Sequence, residues 1–148
     1  MSVRLIRGNC IEVMRNQDLG EFDLVFADPP FNIDQEYNEY EDKKPVREYT
    51  QFTKDWINAV LHDCKPKVVC FHGHDELVFP YLTIPSAYGY KRIAWINWHY
   101  RFGQKRDTNW IDSRCHCLIY AKSDDWTWNP EDVKVESDRK SKYKDRRA

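Results

Sequence analysis

The sequence predicts an α/β protein: a partial sheet with a helix between its early strands, made mixed by a late antiparallel hairpin. Three observations lead there. Apolar, β-branched runs at Phe22–Ala27 and Val68–Phe71 flank an amphipathic, helix-length stretch at Val46–Leu61, the alternation that parallel strands require. Two more strand-like runs, Tyr90–Tyr100 and Cys115–Ala121, follow with only a polar loop between them, so the strand direction changes late. The length, 148 residues, suits one domain with a proper core.

Along the chain, Val3–Arg7 is a short apolar-alternating piece, and Ile11–Arg15 predicts a short helix. Phe22–Ala27 reads as a buried strand, stopped by Asp28-Pro29-Pro30 because proline cannot continue a central strand. Asn32–Pro45 is acidic, rich in tyrosine and without a period, hence a loop. In Val46–Leu61 the residues Tyr49, Phe52, Trp56, Val60 and Leu61 share one helical face, and Lys65-Pro66-Lys67 ends the helix. Asp75–Leu82 predicts a short helix that Pro80 disfavours. Arg101–Arg114 is a loop that interleaves basic and aromatic residues, and beyond Trp128 the apolar content runs out. The organisation expected is one catalytic part over residues 1–133, followed by a basic polar tail over 134–148 that begins a further segment.

Charge and composition exclude several classes. The chain is polar, with a mean hydropathy of -0.82 and a net charge of -1, so it lacks the overall basic excess of a strong nucleic-acid binder. The excess is local, in the tail and at Arg101, Lys105, Arg106 and Arg114. Each patch suits phosphate contacts and equally suits a solvated surface. No apolar run approaches a membrane span, and the start has no apolar signal core. The five cysteines are scattered and read as reduced thiols of a cytoplasmic protein, in a prokaryotic cell or a phage-infected host.

The chemistry is carried by Asp28-Pro29-Pro30-Phe31 at the carboxyl end of an apolar strand, where open α/β sheets bind ligands. An exocyclic amine on a nucleobase is a poor nucleophile because its lone pair is delocalised into the ring. A carboxylate accepting one N–H and a backbone carbonyl accepting the other favour a pyramidal nitrogen. Asp28 supplies the first acceptor and the Pro29 carbonyl, stiffened by Pro30, the second. A hydrogen bond to a charged acceptor contributes ~1.5–3 kcal/mol, and stacking on Phe31 roughly 1–3 kcal/mol. Together these offset the few kcal/mol of extruding a base. Taken alone, the tetrapeptide is equally a turn after a strand; its place after Phe22–Ala27 favours the functional reading.

These residues resemble motif IV of the DNA amino-methyltransferases, and the resemblance extends through Asn32-Ile33. Arg4–Cys10 resembles the segment before that motif, with Asn9 where the family commonly has Asp. Tyr49–Leu61 resembles the helix after the catalytic loop. Trp98–Gly103 and Ser113–Tyr120 resemble the late hairpin near the flipped base, with Ser113, Arg114 and His116 matching a Ser-Arg-x-His pattern. The similarity runs from Val3 to about Arg147. It implies a partial Rossmann-like methyltransferase sheet in the β-type motif order, with the cofactor motif last. It also implies S-adenosylmethionine as methyl donor, double-stranded DNA as substrate, and adenine N6 as target, since an initial Asp is more typical of adenine enzymes and Ser of cytosine-N4 enzymes. The glycines are Gly8, Gly20, Gly73, Gly89 and Gly103, none paired as Gly-x-Gly. The chain therefore reads as the first half of the family domain, acting as a homodimer or with a complementing C-terminal chain, or else as a non-catalytic DNA- or partner-binding subunit.

On this reading Asp28, Pro29, Pro30 and Phe31 are catalytic. Asp28, Asn9, His72 and Asp75 contact the cofactor, and Asn32, Arg101, Lys105, Arg106 and Arg114 contact DNA. His72-Gly73-His74-Asp75 sits at a strand end and is otherwise a polar turn. No metal is expected, because Cys115, His116 and Cys117 with His72 and His74 fit no zinc spacing; the cysteines read as core thiols.

Overall fold

The computed structural model describes residues 3–37, 40–101, 107–108, 110–111 and 113–144. Its centre is a four-stranded sheet in the order β1-β2-β4-β3, with β1 at Leu24–Ala27, β2 at Val68–Gly73, β3 at Lys91–His99 and β4 at Arg114–Ala121. Strands β1 and β2 are parallel, while β4 runs antiparallel to both β2 and β3. The mixed sheet with its late hairpin thus agrees with the sequence expectation. The parallel pair needs a crossover, and α2 at Val46–Ala59 provides it.

Side-chain alternation divides the sheet into two unlike faces. Val69 and Phe71 of β2 and Leu118 and Tyr120 of β4 are buried, and join Tyr49, Trp56, Ile57 and Leu61 of the α2 region and Leu77 and Tyr81 of α3 in one core. Helix α3 spans Asp75–Ala87. The opposite face carries Leu24, Phe26, Val68, Cys70, Ile96, Cys117 and Ile119, which line an apolar groove of about 730 Å³ with Trp126 and Trp128. Leu24 is 56% exposed and Phe26 59%. The run at Phe22–Ala27 is therefore a half-buried strand, not a buried one: helices cover only one of its sides.

Helix boundaries depart from expectation for identifiable reasons. Helix α1 is Cys10–Asn16, and the Asn9 side chain caps it, accepting from the Ile11 and Glu12 amides. Val3–Arg7 forms no strand, and Val3 and Leu5 are exposed. Helix α2 gives way at Val60–Cys64 to a π-helical turn that closes on left-handed Lys65, whose N–H donates to the Val60 carbonyl. Helix α3 runs past Pro80 to Ala87, with Pro85 also inside it. Pro85 cannot donate to the Tyr81 carbonyl four residues back, and the Tyr120 hydroxyl takes that acceptor at 2.7 Å.

Beyond Trp128, where the sequence turns polar, two short elements form. A 3₁₀ turn at Pro130–Asp132 and a four-residue helix, α4 at Asp138–Ser141, follow the sheet, and Asp138, Arg139 and Ser141 of that helix are exposed. No helix among the described residues is long and apolar enough to cross a membrane.

Candidate active site at the carboxyl ends of β1 and β2

Strand β1 ends at Ala27, so Asp28 leaves the sheet where β2 still continues to Gly73. The Asp28 carboxylate reaches across to β2 and accepts a 2.8 Å hydrogen bond from His72 Nδ1. A carboxylate can only accept, so Nδ1 carries the proton. The His72 side chain is 8% exposed and that of Asp28 58%, which gives a carboxylate fixed on its inner side and open on its outer side. The second imidazole nitrogen, Nε2, is buried without a hydrogen-bond partner among the described residues.

Aromatic rings enclose the imidazole. Phe26 lies at 6.2 Å between centroids, Phe31 edge-on at 5.5 Å, and Trp98 of β3 at 5.5 Å. Phe31 also meets the His74 ring at 4.6 Å. The Pro-Pro pair is braced from α2, where the Tyr49 hydroxyl donates to the Pro30 carbonyl at 2.7 Å. Burial pushes that hydroxyl well above its ordinary range, with Tyr40 and Asp42 adding to the effect, so it remains a donor at any physiological pH. Beside β1, a second apolar pocket of about 280 Å³ is lined by Cys10, Met14, Phe52 and Trp56 together with Asp28, Pro29 and Pro30.

The loop after Phe31 is organised by a residue that no sequence motif singles out. Asp42 is 3% exposed. Its Oδ1 accepts from the Asn32 amide at 2.8 Å, and its Oδ2 from the Ile33 and Gln35 amides at 3.1 Å each. Its own carbonyl accepts from the Asp34 amide. Asn32 adopts a left-handed conformation, φ 60°, and its side chain bonds the Lys44 backbone twice, accepting from the amide at 2.6 Å and donating to the carbonyl at 2.9 Å. Asn32, expected to contact DNA, spends its amide on closing this loop. An acidic residue within a polar stretch carries no mark of burial, so only a search for local amide-capping partners would have found Asp42.

The other expected site residues fall elsewhere. Asp75 and Arg114 come together, but on the helix-covered side of the sheet rather than with Asp28. Arg114 Nη2 meets Asp75 Oδ2 at 2.8 Å, and His116 Nε2 donates to Asp75 Oδ1 at 2.6 Å. The Trp95 indole N–H donates to His116 Nδ1 at 3.1 Å, which agrees with a proton on Nε2. The Arg114 guanidinium and then His116 hold the Asp75 carboxyl below its usual range. This cluster, with Val78 and Asn97, lines a separate open pocket of about 560 Å³. Asn9 caps α1, Arg101 is exposed just beyond β3, and Lys105 and Arg106 lie outside the described residues. Among the cysteines, Cys70 is buried on the grooved face, where burial, with Cys117 adding to it, pushes its thiol up to about 12. Such a thiol is not a nucleophile at neutral pH.

Comparison with known proteins bears on this arrangement. A family model described as DNA methylase, covering the N6/N4 methyltransferases, matches residues 22–147. The chain is 25% identical over 138 residues to the type II methyltransferase M.HpaI of Haemophilus parainfluenzae, which covers 91% of the chain and 44% of that protein. It is 29% identical over 125 residues to M.BamHI of Bacillus amyloliquefaciens, covering 82% of the chain and 29% of that protein. A 39-residue stretch is 38% identical to M.MjaVI of Methanocaldococcus jannaschii. The chain thus spans less than half the length of these relatives. With the family match running through the strand that delivers Asp28 and on across the whole sheet, the chain belongs to the S-adenosylmethionine-dependent DNA amino-methyltransferases, as the N-terminal part of their domain.

Proposed function

We propose that this chain supplies the base-binding half of a DNA methyltransferase that acts on N6 of adenine, and that it works with a complementing half that completes the cofactor site. The observation that carries the proposal is the Asp28 carboxylate, anchored on its inner side by His72 and open on its outer side, next to a braced Pro-Pro-Phe turn. Asp28 accepts one proton of the extruded base's amine and the Pro29 carbonyl accepts the other, while Phe31 covers a face of the ring. These acceptors raise the electron density on the nitrogen, and Asp28 would take the proton that the amine loses on gaining the methyl group.

The residues present fit the methyl-bearing end of S-adenosylmethionine, which when bound supplies an electrophilic methyl on a sulfonium cation. A carboxylate beside aromatic rings suits such a cation. His72 Nε2, buried and unpartnered among the described residues, lies on the same face of the sheet as the apolar groove. The sequence has no paired glycines for the rest of the cofactor, and the relatives are more than twice as long. Both support a complementing segment that covers the groove. DNA and the methyl donor place the work in the cytoplasm.

The absence of a Gly-x-Gly pair also favours a second reading, in which the chain is a catalytically silent DNA- or partner-binding subunit. Labelled S-adenosylmethionine and mixed-sequence DNA separate the two. The chain is assayed alone and with the non-overlapping portion of the Haemophilus relative supplied in trans, and the DNA is digested for nucleoside mass spectrometry. N6-methyladenine is the expected product. N4-methylcytosine would retain the enzyme and overturn the base, and no transfer from folded protein under either condition would support the silent subunit.

A further inference from the structure

The structure assigns His72 as the positioning residue that holds the Asp28 carboxylate for the substrate amine, an inference that rests on the methyltransferase reading above. Asp28 stands just past the end of a strand, with its side chain more than half exposed. Left to itself, such a carboxylate would be solvated and would sample several rotamers. His72 lies on the neighbouring strand one register step beyond the Ala27–Phe71 pair, so the sheet itself sets the reach of its Nδ1–H to Asp28 Oδ1, 2.8 Å. That bond occupies one carboxylate oxygen and leaves the other for the incoming N–H.

The imidazole cannot turn away easily. It is 92% buried by complement of its 8% side-chain exposure, its ring is bounded by Phe26, Phe31 and Trp98, and its carbonyl accepts from the Tyr81 hydroxyl at 2.9 Å. An imidazole whose Nε2 is buried and unpartnered is poorly satisfied as a purely structural side chain, since an orphaned buried polar atom carries a cost that an apolar residue would avoid. The arrangement makes sense if the donor on the other nitrogen is what the position requires. A histidine side chain free in water favours the Nε2–H tautomer; here the carboxylate selects Nδ1–H.

Two variants separate the donor from the ring. His72→Phe keeps an aromatic in the cage and removes the donor. His72→Asn keeps an N–H at the place of Nδ1 and removes the ring. For the chain with its complementing segment, His72→Phe is expected to lower kcat for methyl transfer about 10- to 100-fold, the rate equivalent of a hydrogen bond to a charged acceptor, with KM for DNA little changed. His72→Asn is expected to recover most of that loss, and thermal unfolding of both variants checks the fold. Independently of transfer, ¹⁵N–¹H correlation of the histidine rings in the chain alone should show His72 as the Nδ1–H tautomer, reverting to Nε2–H in Asp28→Ala. Wild-type kcat in His72→Phe, equal loss in folded His72→Phe and His72→Asn, or an Nε2–H tautomer in the wild type would each overturn the assignment. No transfer by the wild type, with the Nδ1–H signal present, would instead sink the enzymatic reading and leave the Asp28–His72 pair standing.

Discussion

Asp28 and Asp42 are both acidic residues near the same turn, and their surroundings give them opposite tasks. Asp28 has one donor, His72, and an open side; Asp42 is enclosed by three backbone amides. Asp28→Ala should abolish transfer, by on the order of 100-fold or more, while leaving the unfolding midpoint near that of the wild type; near-normal transfer in that variant would rule out the amine-acceptor role. Asp42→Ala should do the reverse, lowering stability by about 2–3 kcal/mol in urea unfolding because buried amides lose a charged acceptor. The Asp28–Phe31 tetrapeptide stood out in the sequence because the proposed reaction demands a carboxylate, a stiff carbonyl and a ring in sequence at a strand end. Asp42 and the use of the Asn32 side chain were not legible, because which amides a loop must satisfy depends on how it folds back, seven to ten residues away in the chain.

At the scale of elements, hydrophobic pattern located every strand, and prolines misled about one helix. Pro80 argues for a short α3, yet the helix runs for 13 residues, with Pro85 also inside it. The carbonyl orphaned by Pro85 is served by Tyr120 from β4, and Tyr81, on the same helix turn, in turn donates to the His72 carbonyl on β2. No local rule anticipates a hydroxyl 39 residues away. Tyr120→Phe should therefore cost about 1–2 kcal/mol despite losing a single oxygen, because the Tyr81 carbonyl stays buried and unserved. Thermal unfolding would detect it, and a wild-type midpoint would mean that α3 relaxes to satisfy itself. Since Tyr81 also braces His72, the same variant should blunt the His72 tautomer preference without touching Asp28.

Over the whole molecule, the sheet is finished on one face and bare on the other. Parallel strands are normally covered on both faces, and a bare apolar face of this extent marks a contact surface. The order β1-β2-β4-β3 also leaves β1 at an edge, with no second strand pairing it among the described residues. The sequence showed that the chain lacks a Gly-rich loop, but not which face the missing part would cover: Leu24 and Phe26 look like core residues until the helices are seen to lie on the other side. Phe26→Asp should leave the chain folded alone, since Phe26 is already largely exposed, and prevent co-purification with the complementing segment. Retained co-purification would place that segment elsewhere.

The Asp42 hub also bears on how such chains drift in length. The amides it serves belong to residues 32–35, and an isolated antiparallel bridge joins Glu36 to Glu41 just inside it. That bridge closes the chain between Glu36 and Glu41, and lengthening a closed loop costs little, because closure entropy grows only logarithmically. Insertions between Glu36 and Glu41 leave the spacing from Asp28 to the clamp intact. One added residue between Phe31 and Gln35, or between Asp42 and Pro45, shifts the turn against α2 and moves Phe31. Descendants of this sequence are free to gain length at one place in the segment and are held to fixed length on both sides of it.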